Sequence, residues 1–167
     1  YEFMAARMAE HPELISMETV GKSQKDRDIP LITVSRKNGN NDKIRILYLS
    51  CVHGNEQAGT EGMLYFIRQL LEDSSVGALL DKVDVYIMPM VNPDGVESFR
   101  RMTANGIDLN RDQSKLDTPE AVTLNQTAAR INPHIILDFH EYQSIRSDFS
   151  QITSDIISTP WDVMFLY

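Results

Sequence analysis

Three side chains in this sequence have the types and spacing to hold a metal ion. His53 and Glu56 stand three residues apart in the run Ser50-Cys51-Val52-His53-Gly54-Asn55-Glu56, and His140 follows far along the chain in Leu137-Asp138-Phe139-His140-Glu141. A catalytic zinc ion takes three protein ligands from histidine and carboxylate and keeps its fourth position for water, which it acidifies toward neutral pH. A separation of three can bring two side chains to one ion, and Gly54 lets the backbone turn tightly between them. A lone His-x-x-Glu is common, however. Its plain alternative is a surface histidine beside a glutamate that starts a helix and complements the helix dipole.

The elements that must position these residues follow from patterning. Residues 1–10 read as a short helix with Phe3, Met4 and Met8 on one side, stopped by His11-Pro12, because the residue before proline is pushed out of helical geometry. Strands are expected at Leu14 to Val20, Ile29 to Val34, Ile44 to Cys51, Val83 to Met90 and Ile135 to Phe139. A helix beginning at Glu56 and running to about Leu71 is marked by Met63, Phe66, Ile67, Leu70 and Leu71 at helical spacing. Thr118 reads as an N-cap, with Pro119 at the first position of a helix that runs to Ile131. Asn38 to Asn41 reads as a loop and Asn92-Pro93-Asp94-Gly95 as a turn. Strands alternating with helices predict an α/β fold, a three-layer sandwich with a central mixed, largely parallel sheet. Sites in such sheets gather beyond the carboxyl ends of the strands, where both His53 and His140 fall.

Composition narrows the classes of function. With 167 residues and 42% apolar content, one domain over residues 1–167 is expected. A net charge of −8, from 24 acidic against 16 basic side chains, disfavours nucleic acid and anionic membranes as partners. No stretch approaches the roughly 18 consecutive apolar residues of a membrane span. Cys51 is the sole cysteine, so no intramolecular disulfide is possible and a buried thiol is expected. The chain opens at Tyr1 without a basic or apolar leader, which leaves the compartment undetermined; a periplasmic or secreted location is compatible with a leader already removed.

A second constellation, Arg100-Arg101-Met102-Thr103-Ala104-Asn105-Gly106-Ile107-Asp108-Leu109-Asn110-Arg111-Asp112, gives the first one its meaning. The chain resembles the zinc carboxypeptidases, the carboxypeptidase A-like metallopeptidases. The resemblance rests on His53-Gly54-Asn55-Glu56, Asn92-Pro93-Asp94-Gly95, Gly106-Ile107-Asp108-Leu109-Asn110-Arg111 and Asp138-Phe139-His140, in the family's order, and on Val20-Gly21-Lys22-Ser23 and Asp28-Ile29-Pro30-Leu31 near the start. It covers residues 1 to about 142. The resemblance implies that His53, Glu56 and His140 bind Zn2+ and that Asp108 orients the first zinc histidine; the alternative for Asp108 is a loop or helix cap. It further implies that Arg101, rather than the adjacent Arg100, steadies the oxyanion. Asn110 and Arg111 would bind the free C-terminal carboxylate of a peptide or peptide-like substrate. The implied activity is zinc-dependent carboxypeptidase-type hydrolysis of a C-terminal peptide or related amide bond by metal-activated water.

The sequence departs from the family pattern in three places. Asp112 stands where the family commonly has asparagine, which puts an added charge either beside the carboxylate clamp or into solvent. Glu141-Tyr142 is a less common continuation after the third ligand. The family's general-base glutamate and substrate-capping tyrosine lie well downstream of that ligand, whereas after Glu141 this sequence has no glutamate, only Asp148, Asp155 and Asp162, and it closes on the apolar run Val163 to Tyr167. The expectation is a piece of a longer protein, truncated on its C-terminal side. The competing expectation, Glu141 as base, is opposed by the tendency of adjacent strand residues to face opposite ways. Neither Tyr142 nor Tyr167 can be assigned as the capping tyrosine. Two other functions remain open: an N-acyl amino acid amidohydrolase of the aspartoacylase or succinylglutamate desuccinylase type, and a non-catalytic zinc-binding module for peptide tails. Asn92-Pro93-Asp94-Gly95 and Val20-Gly21-Lys22-Ser23 favour the peptidase. For His11 and His134 a local hydrogen bond or solvent exposure is expected.

Overall fold

The computed structural model describes residues 2–40, 42–141, 145–146 and 159–160. In chain order its elements are α1 (Glu2–Glu10), β1 (Ile15–Lys22), β2 (Asp28–Val34), β3 (Ile44–Leu49), α2 (Ala58–Glu72), α3 (Ser74–Gly77), β4 (Val83–Met88), α4 (Pro93–Glu97), α5 (Pro119–Ile131) and β5 (Ile135–Asp138). A two-residue pairing of Ile145–Arg146 with Thr159–Pro160 stands apart from the main sheet.

The sheet runs β1-β2-β4-β3-β5 and is mixed. The β1-β2 and β2-β4 pairings are antiparallel, while β4-β3 and β3-β5 are parallel. Strand alternation sorts the core onto two faces, because successive side chains on a strand point opposite ways. Ile29 and Leu31 of β2, Leu47 and Leu49 of β3 and Met88 of β4 meet Ala121, Leu124 and Ile131 of α5 on one face. Ile32, Val34, Val85 and Ile87 meet Met4 of α1 and Met63, Ile67 and Leu70 of α2 on the other. The result is helix, sheet, helix. Burying a side chain such as Ile67, fully sealed from solvent, stabilises the fold by about 1.5–3 kcal/mol.

Element ends differ from the expected ones for identifiable reasons. β3 stops at Leu49 because Cys51 takes a left-handed backbone with φ of 50°, which cannot continue a strand. β4 stops at Met88 because Pro89 has no N–H to offer the ladder. α2 begins at Ala58 rather than Glu56; Glu56 lies in the preceding turn, its N–H bonded to the His53 carbonyl at 3.1 Å. Asn92-Pro93-Asp94-Gly95 is the start of a short helix, not a turn. Asn92 accepts from the Gly95 N–H, and Pro93 occupies the first helical position. α5 starts as expected, with the Thr118 hydroxyl accepting from the Ala121 N–H.

Candidate metal centre

The two parallel strands β3 and β5 lie side by side, with Leu49 opposite Asp138. The loops leaving their carboxyl ends therefore emerge together, which brings His53 and Glu56 to His140 despite the long sequence gap. One ligand atom from each of the three lies within 4.8 Å of the others. His53 Nδ1 is 2.9 Å from Glu56 Oε1, and His140 Nδ1 is 2.8 Å from Glu56 Oε2. The two rings sit with centroids 4.7 Å apart. His53 and Glu56 are buried, His140 largely so.

Each imidazole turns its other nitrogen to a carboxylate. His53 Nε2 lies 3.1 Å from Asp108 Oδ1, and His140 Nε2 lies 3.0 Å from Asp138 Oδ2. Asp138 is absent from the cluster expected from sequence; the signal that could have found it is its two-residue spacing from His140, since residues i and i+2 of an extended chain share a face. Asp108 makes the contacts that both of its alternative readings call for. It faces His53, and its Oδ1 also accepts from the Asn110 N–H as cap of the 3-10 turn Leu109–Arg111.

Charge at the centre favours a cation. The carboxylates of Glu56, Asp108 and Asp138 surround the two rings, with Arg101 the guanidinium among them. Burial pushes the Glu56 carboxyl up, but hydrogen bonds from His140 and His53 outweigh it and bring it down to about 2. For His140, hydrogen bonds to Asp138 and then Glu56 prevail over burial and raise the ring to about 9. Burial raises the Asp108 carboxyl as well, and Arg101 and His53 more than reverse it, leaving it low. A carboxylate held ionised between two imidazole nitrogens is a donor set that fits zinc, which would take the nitrogens in place of their protons.

Arg101, not Arg100, joins the cluster. Its Nε and Nη2 donate to Asp108 Oδ2 at 3.2 and 2.9 Å, and its Nη1 lies 3.3 Å from His53 Nδ1 and 3.5 Å from Glu56 Oε1. Arg100 is exposed. Asn110 sits at the rim with its amide nitrogen 3.3 Å from His140 Nε2. Arg111 follows it on the same 3-10 turn, exposed.

The loops are locked to one another by the Asn92 segment. Asn92 Nδ2 reaches both the Val52 and the Arg101 carbonyls at 3.5 Å, linking the His53 loop to the arginine loop. Gly54 is required for room rather than for a special φ. A Cβ there would sit 2.0 Å from the Gly95 carbonyl carbon and 2.3 Å from the Val96 nitrogen. Asp94 ties in the β1–β2 turn by accepting from Ser23 Oγ, the Lys25 N–H and the Arg27 guanidinium.

Four further expectations meet the structure. Asp112 does not face solvent: it is fully buried and accepts from the Asp117 and Thr118 N–H groups and the Thr118 hydroxyl. Glu141 gives its carboxylate to the Ala58 N–H at the start of α2, and its own N–H donates to Glu56 Oε2. His134 is exposed, one of the two outcomes expected for it, and its bond is not local: Nδ1 accepts from the N–H of Arg45 at the start of the adjacent strand β3. Cys51 is buried, its thiol pushed up chiefly by burial. Tyr142, Asp148, Asp155, Asp162 and Val163 to Tyr167 lie outside the described residues.

Residues 1–147 match the profile of the family described as zinc carboxypeptidase. The chain belongs to the zinc carboxypeptidase family. Carboxypeptidase 2 of Trichophyton rubrum is 35% identical over 132 residues, which are 75% of this chain and 24% of that protein. A metallo-carboxypeptidase from Burkholderia cenocepacia shares the fold, with a TM-score of 0.76 at 22% identity over 84% of this chain and 39% of its own. A Pseudomonas aeruginosa metallo-carboxypeptidase in complex with (2-guanidinoethylmercapto)succinic acid superposes with a TM-score of 0.69 at 27% identity, over 83% of this chain and 38% of that one. The chain thus spans about a quarter of the length of the curated relatives it matches. Within the zinc carboxypeptidase family, the His53, Glu56 and His140 cluster resembles the zinc site.

Proposed function

We propose that this protein is a zinc-dependent metallocarboxypeptidase, acting on a peptide or peptide-like substrate that carries a free C-terminal carboxylate. The observation that carries the reading is the convergence of His53, Glu56 and His140 at the carboxyl ends of two adjacent parallel strands, in a chain of the zinc carboxypeptidase family. Family membership implies peptide substrates, and no helix among the described residues is long and apolar enough to cross a membrane. Zinc, when bound, supplies a Lewis acid that activates water and polarises a carbonyl.

The remaining work falls to side chains. Arg101 stands beside the ligands with its side chain 41% exposed, so a permanent cation is available where negative charge develops on a carbonyl oxygen. Asp108 holds that guanidinium in place through two hydrogen bonds. Asn110 and Arg111 offer an amide and an exposed guanidinium fork on one short turn, a match for a terminal carboxylate. Glu141 has no part as general base in this proposal, since its carboxylate is engaged by the Ala58 N–H.

The test begins with metal content. Near-stoichiometric zinc in the purified protein, lost in His53→Ala and in His140→Ala, is the expected result, and a wild-type protein that takes up no zinc overturns the proposal. Turnover of a blocked dipeptide but not of an N-acyl amino acid is expected of the intact protein. The reverse preference would move the assignment to the amidohydrolases.

A further inference from the structure

We infer that Asp138 is the positioning residue for the third zinc ligand: it fixes His140 with its proton on Nε2 and its Nδ1 turned to the ion. The inference rests on the proposed zinc site and adds a residue to it.

The two histidines present the same face to Glu56, each through Nδ1. A neutral imidazole that ligates through Nδ1 must carry its proton on Nε2, and an acceptor there sets the tautomer, the ring plane and the basicity of the ligating nitrogen. At His53 the acceptor is Asp108. At His140 the carboxylate of Asp138 stands 3.0 Å from Nε2, the corresponding position.

Strand geometry places it there. Asp138 is the last residue of β5 and pairs with Leu49, so its backbone is fixed by the sheet. The Phe139 N–H continues the pairing to the Leu49 carbonyl at 3.0 Å, and Asp138 and His140 on either side of it meet at 3.0 Å. The carboxylate needs no rearrangement to reach the ring.

The two carboxylates are not equivalent. Asp108 divides its charge among His53, two Arg101 hydrogen bonds and the Asn110 N–H. Among the described residues, Asp138 has no arginine or lysine partner, so its charge bears more fully on His140. Asn110 competes for the same nitrogen, with its amide nitrogen 3.3 Å from His140 Nε2. An amide N–H and an imidazole N–H cannot both point along that line. With Asp138 holding the Nε2 proton, the Asn110 side chain is released toward substrate, where the proposed function needs it.

The experiment compares Asp138→Ala, Asp138→Asn and wild type by zinc dissociation constant, measured by competition with a chromogenic chelator. Nitrogen-detected NMR of the imidazoles in the zinc-loaded protein supplies a readout besides affinity. Asp138→Ala is expected to weaken zinc by about 10- to 100-fold, the usual effect of removing an outer-shell partner. Asp138→Asn retains an oxygen to accept the Nε2 proton and is expected to lose less. The side chain is 32% exposed, so neither change opens the core, and unfolding midpoints recorded without zinc verify that both variants fold. In wild type the His140 signal should show zinc on Nδ1 and a proton on Nε2. Zinc binding in Asp138→Ala equal to wild type, or zinc found on Nε2, overturns this inference and leaves the zinc site standing. A wild-type protein without zinc affinity overturns both.

Discussion

Gly54→Ala is the sharpest test of how the metal loops are built. The added Cβ would lie 2.0, 2.3 and 2.4 Å from the carbonyl carbon of Gly95, the nitrogen of Val96 and the Cα of Gly95. All three are backbone atoms, so no side chain can rotate away. Ordinary contact begins at 3.4 Å, and the nearest atom falls short by 1.4 Å (3.4 − 2.0). The His53 loop and α4 must separate by a distance of that order. The Asn92 hydrogen bonds to Val52 and Arg101, already 3.5 Å long, do not survive such a shift. Overpacking of this kind costs about 1–3 kcal/mol, and each lost hydrogen bond adds about 0.5–1.5 kcal/mol. We expect a loss of roughly 2–6 kcal/mol by urea denaturation, a large share of the total for a domain of this size, and a weaker zinc affinity, because His53 and Glu56 ride on the displaced loop. A loss below about 0.5 kcal/mol with unchanged zinc affinity would refute the argument that close backbone approach dictates glycine at this position.

Other expectations concern the buried carboxylates and the core. Glu120 is fully buried, one of its oxygens has no partner among the described residues, and burial, with Asp94 and Asp112 nearby, holds its pKa above the usual value. A raised folded-state value means that its contribution to stability is complete below the unfolded pKa of about 4.3 and fades as pH rises through the folded value. Glu120→Gln should therefore gain stability relative to wild type as pH increases above that point, seen as a widening gap between the two denaturation curves; a gap independent of pH contradicts this. Asp112→Ala strands the buried N–H and hydroxyl of Thr118 and the partly buried N–H of Asp117 and should cost about 2–3 kcal/mol, with Asp112→Asn milder because one acceptor remains. Ile67→Ala should destabilise by about 2–5 kcal/mol through the cavity it leaves between α2 and the sheet. In the intact protein, Arg101→Ala should lower kcat/KM by about 10²- to 10³-fold, whereas Arg100→Ala should leave it nearly unchanged.

Much of the fold was legible in the sequence because its signals are local. The near-continuous apolar run Ile29-Pro30-Leu31-Ile32-Thr33-Val34 encodes a strand buried on both faces, and Thr118-Pro119 encodes a helix start; neither needs knowledge of the neighbours. Strand order is not local, and nothing in Val83 to Met88 says that it lies between β2 and β3. The same division runs through the site. The candidacy of His53, Glu56 and His140 as one metal-holding group was legible from their types and spacing, and the choice of Arg101 over Arg100 from its place in a family motif. Asp112, Asp138 and Gly54 act through contacts with segments distant in sequence or through the exact path of the chain after β5. Asp112 was expected either beside the carboxylate clamp or in solvent, because burial of a carboxylate is decided by where Thr118 lies in space. Cys51 carried no sign of its left-handed backbone, which only the sharp exit from β3 imposes.

His140 is delivered from the end of β5, while His53 and Glu56 sit on the buried turn that leaves the neighbouring β3. The proposed ion would thus join two adjacent strands through their exits. Its release should then require those exits to part, and a chelator should strip it no faster than deuterium enters the amides of Leu137 and Asp138. Conversely, zinc becomes a clasp across the sheet: at a hundredfold excess over its dissociation constant it would hold β5 closed by about 2.7 kcal/mol.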